Sequence, residues 1–351
     1  MKTSIIKIKD NQDRSDQQKI RAAGKIIREG GVVAFPTETV YGLGADALNP
    51  DAARKIYEAK GRPSDNPLII HIADMEALEQ IADSVPPLAR KMAERFWPGP
   101  LTMIFCKRDV VPMETTGGLE TVAVRMPRHP VALALIQAAG GYIAAPSANT
   151  SGRPSPTLAE HVAEDMEGRI PMILDGGAVG IGIESTIVDF SDEIPMVLRP
   201  GSITPDMIRK VTGDLRMDPG LIEENSGVRP RAPGMKYKHY APRAELILVS
   251  GAQDKVQEKI NVLAREAAMS GKTAGIIGTD ESCGCYGYGI VKSIGTRYDE
   301  ETIARHLYGI LREFDRQDVD VIYSECFSAP GIGQAVMNRL LKAAGQRMIE
   351  V

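Results

Sequence analysis

A stretch of thirty residues, 214–243, divides this chain of 351 residues into two parts. Proline and glycine recur through it and apolar periodicity is weak, which is unusual for a segment inside one compact domain. A chain of 351 residues is also long for a single hydrophobic core. The sequence therefore predicts a first domain over residues 1–213, a linker over 214–243 and a smaller domain over 244–351.

Short apolar runs alternate with helical patterns on both sides of the linker. Residues 32–35 read as a buried strand, Ser15 is expected to open an earlier helix in a capping box, and Asn49 and Gly61 bound a later one. Further strands are expected at 68–71, 101–105, 121–125, 172–174, 186–190 and 196–198, and helices at 75–83, 87–96, 130–139, 158–166 and 205–211. This pattern predicts an α/β fold with a mixed sheet, followed by a small parallel α/β domain with strands near 246–249, 274–277, 290–291 and 319–323.

Composition limits the class of protein. The formal net charge is −4 and aromatic residues make up 5% of the chain, so the basic and aromatic character of a dedicated nucleic-acid binder is missing. The sequence contains no signal peptide or membrane-spanning apolar run, and four cysteines do not make a disulfide framework. We expect a cytoplasmic protein without membrane association.

Four polar side chains alternate after the second predicted helix: Lys60, Arg62, Ser64 and Asn66. The prolines that follow Arg62 and Asn66 disfavour a helix, so we expect an extended segment with all four side chains on one face. An ammonium, a guanidinium, a hydroxyl and an amide together suit a phosphate or a carboxylate. A solvated loop is the alternative for any one of these residues taken alone.

Other polar candidates lie where predicted strands end. The segment PTETVYGLG at 36–44 reads as a turn after the first buried strand. Arg125 ends an apolar strand, which is an unfavourable place for a cation unless an anion meets it. His71 also ends a strand, where a lone histidine more often has a structural role than a functional one. Cations, hydroxyls and glycine loops without a nucleophile–histidine–acid pattern suit phosphoryl or adenylyl transfer, which needs positioning and charge neutralisation.

Several motifs resemble those of the YrdC family in order and spacing, over about residues 15–213. They are PTETVYGLG at 36–44, KxRxSxN at 60–66, SANxSG at 147–152, ESTIVD at 184–189 and LRPG at 198–201. The segments HYAP at 239–242 and GIGQAVMNRL at 331–340 resemble the long two-domain form of that family.

The resemblance implies an open, twisted mixed sheet with a concave, positively charged groove, and a smaller Rossmann-like C-terminal domain. It implies a nucleotidyltransferase that joins L-threonine, bicarbonate and ATP into threonylcarbamoyl-adenylate and releases pyrophosphate. Magnesium would accompany ATP, with ligands that the sequence does not identify. A separate enzyme would transfer the product to tRNA, so stable tRNA binding is not expected.

The resemblance also implies roles for single residues. Threonine contacts are implied for Thr37, His71, Arg125, Ala145 and Ser185. ATP contacts are implied for Lys60, Ser64, Asn66, Thr121, Ser147, Ser155, Arg199 and Tyr240. Lys60 and Arg62 would stabilise the phosphorus transition state. Tyr240 lies in the linker, which we therefore expect to close over bound ATP.

Two other functions remain open at this point. An RNA-binding protein could use the same groove, although the low aromatic content and the negative charge disfavour it. A nucleotide-binding regulator without turnover would carry the same residues, and only an assay separates it from an enzyme.

Overall fold

The computed structural model describes residues 1–221, 240–327 and 331–351. The chain forms two compact units. The first comprises Met1–Ser151, Ser155–Gly180 and the described part of Glu184–Lys236; the second comprises Gly152–Pro154, Ile181–Ile183 and the described part of Tyr237–Val351. Most of the predicted linker, residues 222–239, lies outside the described residues, so its expected closure over ATP stays a prediction.

The first unit is built on an eleven-stranded sheet. Its strands are β1 (Ser4–Lys7), β2 (Val33–Phe35), β3 (Gly42–Asp46), β4 (Ile69–His71), β5 (Leu101–Cys106), β6 (Thr121–Arg125), β7 (Ile143–Ala145), β8 (Met172–Asp175), β9 (Thr186–Asp189), β10 (Met196–Arg199) and β11 (Arg216–Met217). The strand order is β1-β8-β2-β3-β7-β4-β6-β5-β9-β10-β11. The sheet contains parallel pairs such as β4–β6 and antiparallel pairs such as β5–β6, which confirms the predicted mixed sheet.

Helices cover both faces of this sheet. They are α1 (Arg14–Arg28), α2 (Pro50–Lys60), α3 (Met75–Ile81), α4 (Pro87–Phe96), α5 (Met113–Thr116), α6 (Pro130–Ala138), α7 (Ala159–Met166) and α8 (Pro205–Thr212). Val33 and Phe35 of β2 pack in a core cluster with residues of α1 and α6, whereas Ala34 between them packs in the larger cluster with residues of α2, α3, α4 and α7. This alternation is the period of two expected of a strand buried on both sides.

The ends of α2 agree with the prediction. The Asn49 side chain accepts hydrogen bonds from the backbone N–H groups of Asp51 and Ala52, at 3.0 and 3.3 Å. At the other end, Gly61 adopts the left-handed conformation with φ of 61°. These caps fix Lys60 as the last residue of the helix.

Two local predictions are corrected by the structure. The cap of α1 is Asp13, whose carboxylate accepts from the N–H groups of Ser15 and Asp16, so Ser15 lies inside the helix. The Gly42–Asp46 segment, expected to be part of a turn, is strand β3. A Cβ at Gly44 would lie 2.7 Å from Ile143 and 2.8 Å from Phe35, so the missing side chain lets these groups pack against the strand.

The second unit is a small parallel α/β fold, as predicted. Its strands are β12 (Glu245–Ser250), β13 (Ala274–Gly278), β14 (Ile290–Ser293), β15 (Val321–Glu325) and β16 (Met348–Glu350), in the order β14-β13-β15-β12-β16. All four neighbouring pairs are parallel. Its helices are α9 (Gln253–Met269), α10 (Glu300–Arg316) and α11 (Ile332–Ala344).

Within the three described ranges, none of the helices is long and apolar enough to cross a membrane.

Candidate active site

A row of in-register residues crosses five strands of the first unit and carries three of the predicted site residues. The row consists of His71 on β4, Arg125 on β6, Thr102 on β5, Ile187 on β9 and Arg199 on β10. Neighbouring strands lie about 4.8 Å apart, so the backbones of Arg125 and Arg199 are about 14 Å apart. The register of β10 shifts between Val197 and Arg199, and this shift brings Arg199 opposite Ile187.

Arg125 is buried and held on three sides. Its Nη2 forms a salt bridge of 2.7 Å with Glu38 Oε1, its Nη1 donates to Thr39 Oγ1 at 2.9 Å, and its Nε donates to the Gly99 carbonyl at 3.3 Å. The sequence indicated that an anion should meet this guanidinium. The structure supplies one from the chain itself, because the carboxylate of Glu38 is buried beside Arg125.

Glu38 is a site residue that sequence reasoning missed. Its second oxygen, Oε2, accepts from the backbone N–H of Arg128 at 3.1 Å. Burial alone would raise the pKa of this carboxyl, but the charge and hydrogen bond of Arg125, with backbone N–H donors, hold the pKa below its ordinary value. Glu38 is therefore ionised at neutral pH. The available signal was its position between two threonines of a motif already singled out.

The hydroxyls of Thr37 and Thr39 extend this network. Thr37 Oγ1 donates to the Val40 carbonyl at 2.6 Å and lies 2.8 Å from Thr39 Oγ1. Because the single hydroxyl hydrogen of Thr37 goes to Val40, Thr39 must donate to Thr37 and accept from Arg125. In this arrangement the Thr37 hydroxyl has no hydrogen left to donate to bound threonine, the substrate that it was predicted to contact.

His71 lies beside Arg125 and is uncharged. Its Nδ1 is 3.1 Å from the Ile69 carbonyl, and its ring meets Phe35 edge to face at 6.0 Å. Burial, helped by the charge of Arg125, lowers the pKa of His71 to about 3. The imidazole can therefore offer hydrogen bonds to a ligand but no positive charge.

This pKa predicts a pH dependence of stability. An unfolded histidine titrates near pH 6.5, so between about pH 6.5 and 3 the unfolded chain binds more protons than the folded one. Stability from this residue is complete above pH 6.5 and is lost as the pH falls. Between pH 7 and pH 5 the loss should be about 2 kcal/mol. Urea unfolding of the wild type and His71→Gln at both pH values measures it, and equal pH dependence in the two proteins would contradict it.

Arg199 is the other end of the row, and Ser185, which lies just before β9, contacts it. Arg199 Nε donates to the Ser185 carbonyl at 3.0 Å, and Nη2 donates to Ser185 Oγ at 3.2 Å. Ser185 Oγ lies 2.7 Å from Thr102 Oγ1, a row member that the sequence did not suggest. Ser155 is connected to Ser185 through the preceding residue, Glu184, whose Oε1 accepts from Ser155 Oγ at 2.5 Å. The predicted residues 155, 185 and 199 are thus brought together.

Lys60 lies in a second group of polar residues. Its side chain is buried, and Nζ donates to the carbonyls of Ser147 and Asn149, both at 2.5 Å. Ser147 Oγ donates to Asn149 Oδ1 at 2.5 Å. The ammonium therefore joins the C-terminus of α2 to the SANxSG segment, and these two motifs are neighbours in the structure. Asn149 was part of a quoted motif but was not predicted as a site residue.

The prediction that residues 60–66 form an extended segment is wrong. Lys60 is helical, and Ser64 and Asp65 lie in a turn. Ser64 is exposed and Asn66 is buried, so the four side chains do not share one face. Proline restricts its own φ and the conformation of the residue before it, and the turn at Ser64, which follows Pro63, lies outside both restrictions. Arg62 Nη2 donates to the carbonyls of Asn66 and Pro67, at 3.2 and 3.1 Å, and thereby closes the turn.

The remaining predicted residues lie in three places. Ala145 ends β7 and pairs with Ile69 of β4, two residues from His71. Thr121 begins β6, at the opposite end of that strand from Arg125. Tyr240 belongs to the second unit, where its ring lies 5.3 Å from that of Tyr308.

The residues present are compatible with magnesium bound to ATP. Among the described residues, no three His, Cys, Asp or Glu side chains form a group that could hold a metal ion. Magnesium in nucleotide sites needs only one or two carboxylates besides phosphate oxygens and water. Glu184, hydrogen-bonded to the predicted ATP contact Ser155, is a carboxylate of this kind.

The fold and site define an α/β protein whose buried cations and hydroxyls converge on one sheet, without a nucleophile–base pair among them. The profile of the Sua5/YciO/YrdC family, described as "Telomere recombination", matches residues 25–201. The profile described as "Threonylcarbamoyl-AMP synthase, C-terminal domain" matches residues 203–345. The chain belongs to the Sua5/YciO/YrdC family, in its long two-domain form, as its motifs predicted.

Relatives match over the full length. The threonylcarbamoyl-AMP synthase of Bacillus subtilis is 52% identical over 99% of this chain and 100% of its own. The synthase of Pyrococcus abyssi is 51% identical, over 99% of this chain and 100% of its own. The crystal structure of P. abyssi Sua5 complexed with L-threonine superposes with a TM-score of 0.93 at 50% identity, covering 99% of each chain.

Proposed function

We propose that this protein is a threonylcarbamoyl-AMP synthase. It would join L-threonine, bicarbonate and ATP into L-threonylcarbamoyladenylate and release pyrophosphate. The observation that carries the proposal is the full-length match to threonylcarbamoyl-AMP synthases at 52% identity, which includes both units. The polar row of the first unit supports it, because buried cations beside neutral hydrogen-bonding groups suit a small amino acid and a polyphosphate.

The reaction needs no nucleophile from the protein. The amine of threonine adds to bicarbonate and water is lost, which gives a carbamate. A carbamate oxygen then attacks the α-phosphorus of ATP, and the bond to the bridging oxygen of pyrophosphate breaks. The task of the site is to align the two reactants and to neutralise charge on the phosphates.

Each group of residues has a place in this scheme. Arg125 would bind the threonine carboxylate, and the neutral His71 would contact the same substrate without adding charge. Ser185, next to both Thr102 and Arg199, would lie between the two substrates. Lys60 and Arg62 would act on the phosphates, with Ser147 and Ser155 as further ATP contacts. Magnesium bound to ATP would neutralise phosphate charge.

The product is a reactive mixed anhydride, so a separate enzyme must transfer its threonylcarbamoyl group to tRNA. We infer no stable tRNA binding by this chain itself. All four cysteines are free thiols, which favours a reducing compartment, and we propose the cytoplasm.

The test is pyrophosphate release by the purified full chain with L-threonine, bicarbonate, ATP and magnesium. We expect release that stops when either threonine or bicarbonate is omitted, and incorporation of labelled bicarbonate into an adenylate. ATP binding without turnover would indicate a regulator, and tight RNA binding without turnover an RNA-binding protein. Either outcome would overturn the proposal.

A further inference from the structure

We propose that Glu38 is a positioning residue that orients Arg125 for the carboxylate of the amino-acid substrate. Glu38 itself would not contact the substrate. This inference rests on the proposed function, since it assigns the amino-acid contact to Arg125. It adds a specificity element that the predicted site residues do not include.

The first support is the number of donors that Arg125 has left. A guanidinium carries one N–H on Nε and a pair on each terminal nitrogen. Glu38, Thr39 and Gly99 take one donor from Nη2, Nη1 and Nε respectively. Among the contacts of the described residues, one N–H therefore remains on each terminal nitrogen. Donors on the two terminal nitrogens can bind the two oxygens of one carboxylate when both hydrogens point away from Nε, and this is the fork that we assign to the substrate.

The second support is the way Glu38 is itself fixed. One of its oxygens accepts from Arg125 and the other from the backbone N–H of Arg128, three residues beyond the end of β6. The carboxylate is thereby tied to the chain segment that carries Arg125. Rotation of the Arg125 guanidinium would break the contacts with Glu38 and Thr39 together.

The third support is the balance of charge. Arg125 and Glu38 are more than nine-tenths buried, and a buried cation without a partner is strongly destabilising. Glu38 compensates Arg125 while the site is empty, so the guanidinium can remain in place between turnovers. The same negative charge weakens the general attraction for anions. Affinity for a carboxylate then depends on the geometry of the two free donors more than on net charge.

The test compares L-threonine with L-threoninamide, which lacks the carboxylate, by calorimetric titration of the full-length wild type, Glu38→Gln and Glu38→Asp. Glutamine keeps the length and loses the charge, and aspartate keeps the charge and withdraws it by one methylene. We expect both variants to lose about tenfold or more of the preference for threonine over its amide. ATP affinity should change by less than about twofold, since the ATP contacts are elsewhere.

Several outcomes would overturn the proposal. They are an unchanged preference in either variant with normal ATP binding, or equal losses for threonine, threoninamide and ATP. Full rescue by aspartate would reduce Glu38 to a charge partner and would also overturn it. Glu79→Gln is the matched control, because Glu79 pairs with Arg90 at 2.9 Å on the surface. It should leave all three affinities unchanged.

The titration separates this inference from the proposed function. Threonine binding requires no turnover, so the role of Glu38 is tested even if the wild type releases no pyrophosphate. In that case only the proposed function fails. A wild type that is active, with Glu38 variants that keep their preference for the carboxylate, refutes the role of Glu38 alone.

Discussion

Replacing Lys60 by methionine is expected to lower the rate of pyrophosphate release by about 100-fold or more, as the loss of a preorganised charge does at other sites of phosphoryl transfer. Methionine keeps the length and apolar stem of the side chain. The variant removes the ammonium that contacts the Ser147 and Asn149 carbonyls, and with it the predicted contact to the phosphates. The measurement is the turnover number for pyrophosphate release at saturating ATP and threonine.

A second lysine on the same helix provides the control. Lys55 Nζ donates to the Gly30 carbonyl at 2.7 Å, so it also joins α2 to a neighbouring loop. Lys55→Met should cost stability but leave turnover within about twofold, because no predicted substrate contact is involved. If Lys60→Met keeps near-normal turnover with intact ATP binding, Lys60 does not act on the phosphates.

Replacing Arg125 by lysine should weaken threonine binding by roughly 10- to 100-fold while ATP binding changes little. Lysine keeps the positive charge beside Glu38. It lacks the planar fork, however, and cannot reach Glu38, Thr39 and Gly99 while presenting two parallel donors to a carboxylate. Calorimetric titration with each substrate separately measures the two affinities.

Arg108→Lys is the matched control for this exchange. Arg108 Nε donates to the Ala82 carbonyl at 2.9 Å, and no predicted site residue contacts it. The control should bind both substrates as the wild type does. If Arg125→Lys loses threonine and ATP affinity to the same extent, Arg125 is a structural residue, and its contacts with Glu38 serve only to hold the fold together.

Local chemistry made much of the fold predictable. The Asn49 cap and Gly61 define α2 by hydrogen bonding and backbone conformation that depend on a few neighbouring residues. Strand β6 was predicted with its observed bounds, because its apolar run is continuous. At α1 two possible capping residues, Asp13 and Ser15, lie within three positions, and the Asp13 carboxylate forms the cap by accepting from the N–H groups of Ser15 and Asp16.

The order of the strands in the sheet could not be predicted from the sequence. Strand β4 pairs with β7 in antiparallel and with β6 in parallel orientation, and these neighbours are distant in sequence. Long-range pairing is decided by the packing of the whole sheet and not by the pattern of any one strand. For the same reason the sequence suggested neither Thr102 nor the row to which it belongs.

The sequence predicted which types of residue form the candidate site, but it predicted their contacts less well. Arg125 was recognised as a cation in need of an anion, but Glu38, 87 residues earlier in the chain, was not identified as that anion. The alternating segment at 60–66 failed because its spacing was read without the turn at Ser64. Spacing implies a shared face only where the backbone stays regular.

The row across β4, β6, β5, β9 and β10 also separates two kinds of change that selection or engineering can make. Backbone hydrogen bonds between strands set the spacing of His71, Arg125 and Thr102, and these bonds do not depend on side-chain identity. Side chains of the row can therefore be exchanged to accommodate a different amino acid while the distances between anchoring points persist. The apolar residues on the opposite face, such as Ile70, Val124 and Met103, pack in the hydrophobic core. Substitutions among them change the thermal stability of the fold instead. Substrate choice and heat resistance can thus evolve on opposite sides of the same strands.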